Sequence, residues 1–414
     1  MCCSLGCMIP GVREDRLARA RRADVEGVCA AGDPLKAVPG RITDEDIKRV
    51  LCLIVANSGV RDVADIRAVQ ASALESAHRC EASIAGVEAA RRETAGSFLA
   101  LLPILTEAAR ESSHKQKDCG PRAVIQGIVS ALGNDFGFVP IIEPWNDVTV
   151  FKDGSAFAAA SPRLALQSHE TAPGALAGRS DNIIAVLNKN VLYARLPVIG
   201  MGVSKFFEAA AKKARSESSI IATIIDLRGS QGGRIDDIVR FVDLFFDDGI
   251  LLQWRMRANG RTETERATRN PPARLDPTIV LIDEQTASGS EAVAASFRKS
   301  SRAMILGRKS MGLANITTTA FLPSKSLLRF PTGDLLESDI GPITGHGVMP
   351  DVEFADSTPP QSMGKDDRML AAAYAILIGS PSGTRHDLIA TAQHIVETYR
   401  EPHHSGVTSE DAHQ

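Results

Sequence analysis

A chain of 414 residues, 44 % hydrophobic and 23 % charged, carries enough apolar side chain for two to three packed domains. Its formal net charge of −3 excludes the strongly basic surface that nucleic-acid binding calls for. No apolar run reaches membrane-spanning length, so no membrane segment is expected, and no cofactor is expected either.

The seven cysteines, Cys2, Cys3, Cys7, Cys29, Cys52, Cys80 and Cys119, all fall in the first 119 residues. An odd number confined to one end argues against a disulfide framework. The spacing of Cys2, Cys3 and Cys7 matches no zinc pattern, and no metal is expected. The N-terminus lacks an apolar core of signal-peptide length and a small-residue cleavage site, which reads as cytoplasmic. A true start further downstream fits the same residues.

Residues 1–40 read as a disordered, arginine-rich leader. Thr43 with Asp46 marks a helix cap, and Ile47, Val50, Leu51 and Ile54 recur at helical spacing, so 41–135 is expected to be a helical N-terminal domain. Residues 136–189 read as a strand and loop connector. From Asn190 onward strands and helices alternate. Strands are expected at 190–196, 220–227, 278–283 and 303–307, and helices at 204–215 and 291–300. Ile235, Ile238, Val239, Val242, Phe245 and Phe246 form a helical stripe between them. Residues 364–399 read as helical and 400–414 as a tail. Such alternation predicts an α/β core over 190–399.

Two segments of that core carry chemistry. Thr223 to Gly233, TIIDLRGSQGG, is a buried strand followed by a glycine-rich turn and a helix. Leu281 to Phe297, LIDEQTASGSEAVAASF, is a strand, a turn of small residues and a helix, with Ser288 at the handover. A helix N-terminus presents free N–H groups and positive potential, which suits a developing oxyanion. Gly232 and Gly233 would let backbone approach that oxyanion closely. Ser288 with Glu291 is equally a capping box, and a glycine pair after a strand is often only a tight turn.

The order of motifs resembles the tail-specific, or carboxyl-terminal processing, serine peptidases. VLYARL at 191–196, DLRGSQGG at 226–233, TASGSE at 286–291, ILGRKSMGLAN at 305–315 and GHGVMPDV at 345–352 follow the family's sequence of motifs. The resemblance implies an α/β, crotonase-like mixed sheet flanked by helices, here without a PDZ domain. It places Ser288 as nucleophile. The oxyanion hole would come from the N–H groups of Gly289 and of the Gly232–Gly233 turn. Asp226 and Arg228 would pin that turn by hydrogen bonds.

The general base departs from the family pattern. Aligned through Gly307 and Gly312, the lysine of one branch falls on Leu313. The histidine of the other falls on Phe136. Neither side chain can accept a proton. His346, His169 and Lys309 are substitute candidates, with His346 preferred because its segment lies on the core in this family. The implied function is serine-dependent hydrolysis or transfer of a peptide or small acyl substrate. The alternatives are an inactive peptide-binding homologue, and a crotonase-like lyase or cyclase.

Overall fold

The computed structural model describes residues 26–30, 41–58, 60, 63–80, 94–113, 119–133, 136–139, 182–268, 276–337, 340–354 and 367–399. The chain packs as two units. The first comprises 1–166, 256–261 and 315–333, and the second 167–255, 262–314 and 334–414. Two stretches assigned by sequence to the 190–399 core, 256–261 and 315–333, therefore pack with the first unit. The leader before residue 26, most of the 136–189 connector and the 400–414 tail lie outside the described residues.

The first unit is built on four helices, α1 (Asp44–Asn57), α2 (Val63–Cys80), α3 (Phe98–Glu111) and α4 (Cys119–Leu132). The first begins as expected: the Thr43 N–H donates to the Asp46 carboxylate at 2.8 Å. That carboxylate is fully buried and also accepts the Ser324 N–H at 2.9 Å. Ile47, Val50, Leu51 and Ile54 line one face of α1 and join a core with Leu74, Leu101, Leu105, Ile128, Leu328 and Phe330.

Contrary to the sequence reading, two disulfides staple this unit, Cys29–Cys52 and Cys80–Cys119. Their partners stand 23 and 39 residues apart. Helix packing brings them together, which sequence spacing does not display.

The second unit is organised around a mixed sheet. Its strands are β1 (Ile183–Leu187), β2 (Val191–Arg195), β3 (Ala222–Asp226), β4 (Thr278–Ile282), β5 (Met304–Gly307) and β6 (Val352–Glu353), in the spatial order β6-β5-β4-β3-β2-β1. All neighbours are parallel except β1 and β2, which form an antiparallel pair. Every residue of β3, β4 and β5 is buried, as a parallel sheet covered on both faces requires.

On one face Tyr193, Ile224, Ile279, Leu281 and Leu306 meet α8 (Arg368–Gly379) and α9 (Arg385–Tyr399) through Met369, Ala373, Ile376, Leu388 and Val396. Over the other lie α5 (Val203–Glu217), α6 (Ile235–Asp243) and α7 (Gly289–Lys299). Phe207, Phe241, Phe245 and Phe297 lock these helices together with ring centroids 5.0–5.5 Å apart. The helical stripe runs past its helix: α6 ends at Asp243, and Phe245 and Phe246 are buried from the turn that follows. The segment 364–399 divides into α8 and α9 at Ser380–Thr384.

A hairpin unforeseen from sequence, Ile250–Met256 with Thr262–Arg266, pairs in register from Gln253↔Thr264 to Arg255↔Thr262. Its signal was present in Asn259-Gly260, a pair suited to tight hairpin turns.

The disulfides generate the first prediction. Mass spectrometry of the unreduced protein should find Cys29–Cys52 and Cys80–Cys119 peptides. Reduction should lower the stability of the helical unit by about 2–4 kcal/mol per bridge in urea denaturation monitored by helicity.

Candidate active site

The loops that follow β2, β3, β4 and β5 all leave the same edge of the parallel sheet, where open α/β sheets bind their ligands. They are cross-linked by backbone. The Gln231 N–H donates to Pro197 O at 3.0 Å and the Ile199 N–H to Gly232 O at 2.9 Å, joining the first two loops. The Ala287 N–H donates to Ser230 O at 2.8 Å, joining the second to the third. The Met311 N–H donates to Thr286 O at 2.9 Å, joining the third to the fourth. Beneath them Ser230 Oγ lies 2.6 Å from Ser290 Oγ and donates to Leu196 O at 2.6 Å. Asp283 accepts the Gly229 N–H at 2.9 Å.

Ser288 sits at the N-cap of α7, half-buried, with φ 57° and ψ −129°. A non-glycine residue in that region is strained by about 1–3 kcal/mol. Sharp strand-to-helix turns of this kind lift a serine hydroxyl out of the backbone. Two hydrogen bonds hold the turn: the Ser288 N–H reaches Leu313 O at 2.9 Å and Glu291 Oε2 at 3.1 Å.

Gly232 and Gly233 abut this turn. A Cβ on Gly232 would lie 2.4 Å from Gly289 N, and one on Gly233 would lie 1.9 Å from Ile199 O. A Cβ on Gly289 would lie 3.3 Å from Gly233 N. The N–H groups of Gly233 and Gly289 are therefore neighbours, and neither donates a hydrogen bond among the described residues. Two unused backbone donors beside a serine at a helix N-terminus can stabilise an oxyanion.

Asp226 and Arg228 brace the turn from below. The Arg228 guanidinium donates to Asp226 at 2.9 and 2.7 Å and to Asp367 at 2.9 and 2.7 Å. The Arg228 N–H also donates to Asp226, at 3.1 Å. The Tyr193 hydroxyl donates to Asp226 at 2.8 Å; burial, then the Asp226 carboxylate, push this phenol well above its usual range.

The candidate bases are placed less tightly. Leu313, which the sequence resemblance sets at a lysine position, is 39 % exposed and touches the site through its carbonyl bond to Ser288. His346 is exposed, with Nδ1 3.3 Å from Thr344 O. Its segment approaches the Leu313 loop, since the Gly345 N–H donates to Gly312 O at 2.8 Å. Lys309 is exposed in the same loop. Phe136 is a buried member of the first unit's apolar core, and His169 lies outside the described residues.

Sequence reading treated Glu291 only as the far half of a cap. In the fold it is fully buried and bonded to the Ser288 turn and to the 310–312 loop, and Ser310 extends the tie to Val348. The S-x-x-E spacing was the visible signal. The second half, Ser310 to Val348, becomes apparent only in three dimensions.

The crowding of the glycine turn predicts a specific loss. Gly232→Ala combines a positive φ of 74° with a backbone clash, and should destabilise the protein by about 3 kcal/mol or more in urea denaturation. Gly202→Ala, at φ 86° with open space around it, should show only the conformational cost of about 1–2 kcal/mol.

Residues 190–354 match the model of Peptidase family S41. The chain is 28 % identical over 130 residues to the carboxy-terminal processing protease CtpA of Bacillus subtilis, covering 31 % of this chain and 28 % of that protein. It is 29 % identical over 143 residues to the carboxy-terminal-processing protease of Bartonella bacilliformis, covering 34 % and 33 %. The matched stretch thus spans about a third of each relative. Among solved structures, a photosystem II D1 C-terminal processing protease overlaps 47 % of this chain and 48 % of its own at 23 % identity, with a TM-score of 0.38. The segment that carries Ser288 and its glycine turn thus matches the Peptidase family S41 model and is similar in sequence to carboxy-terminal processing proteases.

Proposed function

We propose that this chain is a serine-dependent hydrolase of the tail-specific peptidase class, cleaving or transferring a peptide or small acyl substrate. Ser288 attacks the carbonyl, and the Gly289 and Gly233 N–H groups receive the negative charge that develops on its oxygen. The observation that carries the reading is the pair of unused backbone donors beside a strained serine at a helix N-terminus. The crotonase-like arrangement belongs to the same proposal, supported by the parallel sheet with helices on both faces and the site at its strand ends.

His346 is the proposed base. It stands on the 345–348 segment, which is hydrogen-bonded to the loop holding the Ser288 N–H. Water near an exposed imidazole can carry the proton from the serine hydroxyl. Leucine at position 313 favours a second reading, a homologue that binds peptides without cleaving them.

For location, the sequence proposes the cytoplasm, whereas the two disulfides favour an oxidising compartment. Trapping thiols in intact cells before lysis decides between them, since a reduced chain would be modified at Cys29, Cys52, Cys80 and Cys119.

A fluorophosphonate probe should label wild-type protein and leave Ser288→Ala unlabelled; equal labelling of the two would leave the serine as a helix cap and favour the binding reading. The pH profile of labelling identifies the base. A rise with a midpoint of about 6 to 7 marks an imidazole, and its loss in His346→Ala assigns the role. Restoring the family side chain gives a gain-of-function test. Leu313→Lys should raise the labelling rate by about 10²-fold if the position points at Ser288, and an unchanged rate would refute that placement.

A further inference from the structure

Among the described residues Glu291 is the charged group that the proposed chemistry leaves unused, although it lies nearest the serine in sequence. A helix cap needs only its bond to the Ser288 N–H, and can be made at the surface. Here the side chain has no exposure, and a carboxylate so buried is costly unless its oxygens are saturated with donors.

They are saturated. Oε2 accepts the Ser288 N–H at 3.1 Å, while Oε1 accepts the Ser310 hydroxyl at 2.5 Å and the Gly312 N–H at 2.7 Å. The Leu313 backbone adds to them. Ser310 Oγ passes the tie onward, accepting the Val348 N–H at 2.7 Å, and the Ser310 N–H returns to Val348 O at 3.1 Å. Burial raises the Glu291 carboxyl above its ordinary value, and the donors from Ser310, Gly312, Ser288 and Leu313 pull against that rise. Every one of these partners is neutral.

One carboxylate thus connects the strained serine, the loop bearing the family's base position, and the segment bearing His346. We propose that Glu291 is a positioning residue, whose carboxylate fixes the Ser288 turn against the 310–313 loop and the 345–348 segment so that the hydroxyl, the oxyanion donors and the base share one geometry. The proposal rests on Ser288 being the nucleophile. Glu291 itself touches no reacting atom and acts through the Ser288 and Gly312 backbone and through Ser310.

Glu291→Gln tests this directly. The amide keeps the shape but turns an NH2 donor toward groups that are themselves donors. In the intact chain, the maximal rate of fluorophosphonate labelling should fall about tenfold or more, while the half-saturating probe concentration stays within about twofold. Hydrogen exchange should accelerate in 286–291, 310–314 and 345–349 together, with the sheet strands still protected. Ser310→Ala removes one donor and leaves the carboxylate, and should fall between wild type and Glu291→Gln in both measurements. It keeps the test valid if the glutamine variant does not fold.

Labelling at the wild-type rate in both variants, or exchange that rises in 286–291 alone, would overturn the proposal and leave Glu291 a cap. Failure of the wild type to label would defeat the nucleophile reading instead. The exchange experiment would then still judge the tie: unchanged exchange in 310–314 and 345–349 overturns it, and joint acceleration upholds it.

Discussion

The backbone at Ser288 is the constraint on which the rest of the second unit's site depends. A serine at φ 57° does not hold that conformation unaided, and its neighbours supply what is needed. Leu313 O and the Glu291 carboxylate take its N–H, and the glycine turn packs where any side chain would collide. The parallel sheet is the platform that makes this practicable. Its strands end at one edge, so four loops meet there, and each short loop borrows rigidity from the next through backbone hydrogen bonds.

A second constraint lies deeper, at the end of β3. Arg228 is clamped between Asp226 and Asp367, and all three are buried. Two carboxylates against one guanidinium leave an excess negative charge. The start of α8 answers it: Asp367 is the N-cap of that helix and accepts the Leu370 N–H, so the helix dipole's positive end faces the cluster. The cluster thereby joins the glycine-rich turn, on the site's edge of the sheet, to the helix covering the opposite face. Buried ion pairs of this kind need not add net stability, but removing one partner leaves an uncompensated buried charge.

Much of this was legible in sequence because local pattern and tertiary role agree. The β-branched run Ile220 to Leu227 and the run Thr278 to Asp283 read as buried strands, and their motifs arrive in the order of the peptidases they resemble. The stripe from Ile235 misjudged only its end, because Phe245 and Phe246 stay apolar after the helix stops and bury themselves from a turn. What escaped depends on partners far apart in the chain. Cys80 gives no sign that it faces Cys119. Glu291 looks like any capping glutamate until Ser310 and Gly312, about twenty residues on, close over it. Which group serves as base was not legible: the resemblance sets Leu313 where a lysine would stand, and a leucine says nothing of a replacement.

The partition of the chain bears on how such a protein could have been assembled. The backbone passes between its two units at 166/167, 255/256, 261/262, 314/315 and 333/334. An appended module is joined by one linker and can be gained or lost in a single genetic event. Here the chain leaves and re-enters each unit, through the hairpin end 256–261 and the strand-bearing stretch 315–333, so neither unit exists as an uninterrupted length of sequence. Recombination at any single one of these junctions would leave the two units unseparated. Neither the helical unit nor the serine-bearing unit can therefore be exchanged as a block by a single crossover.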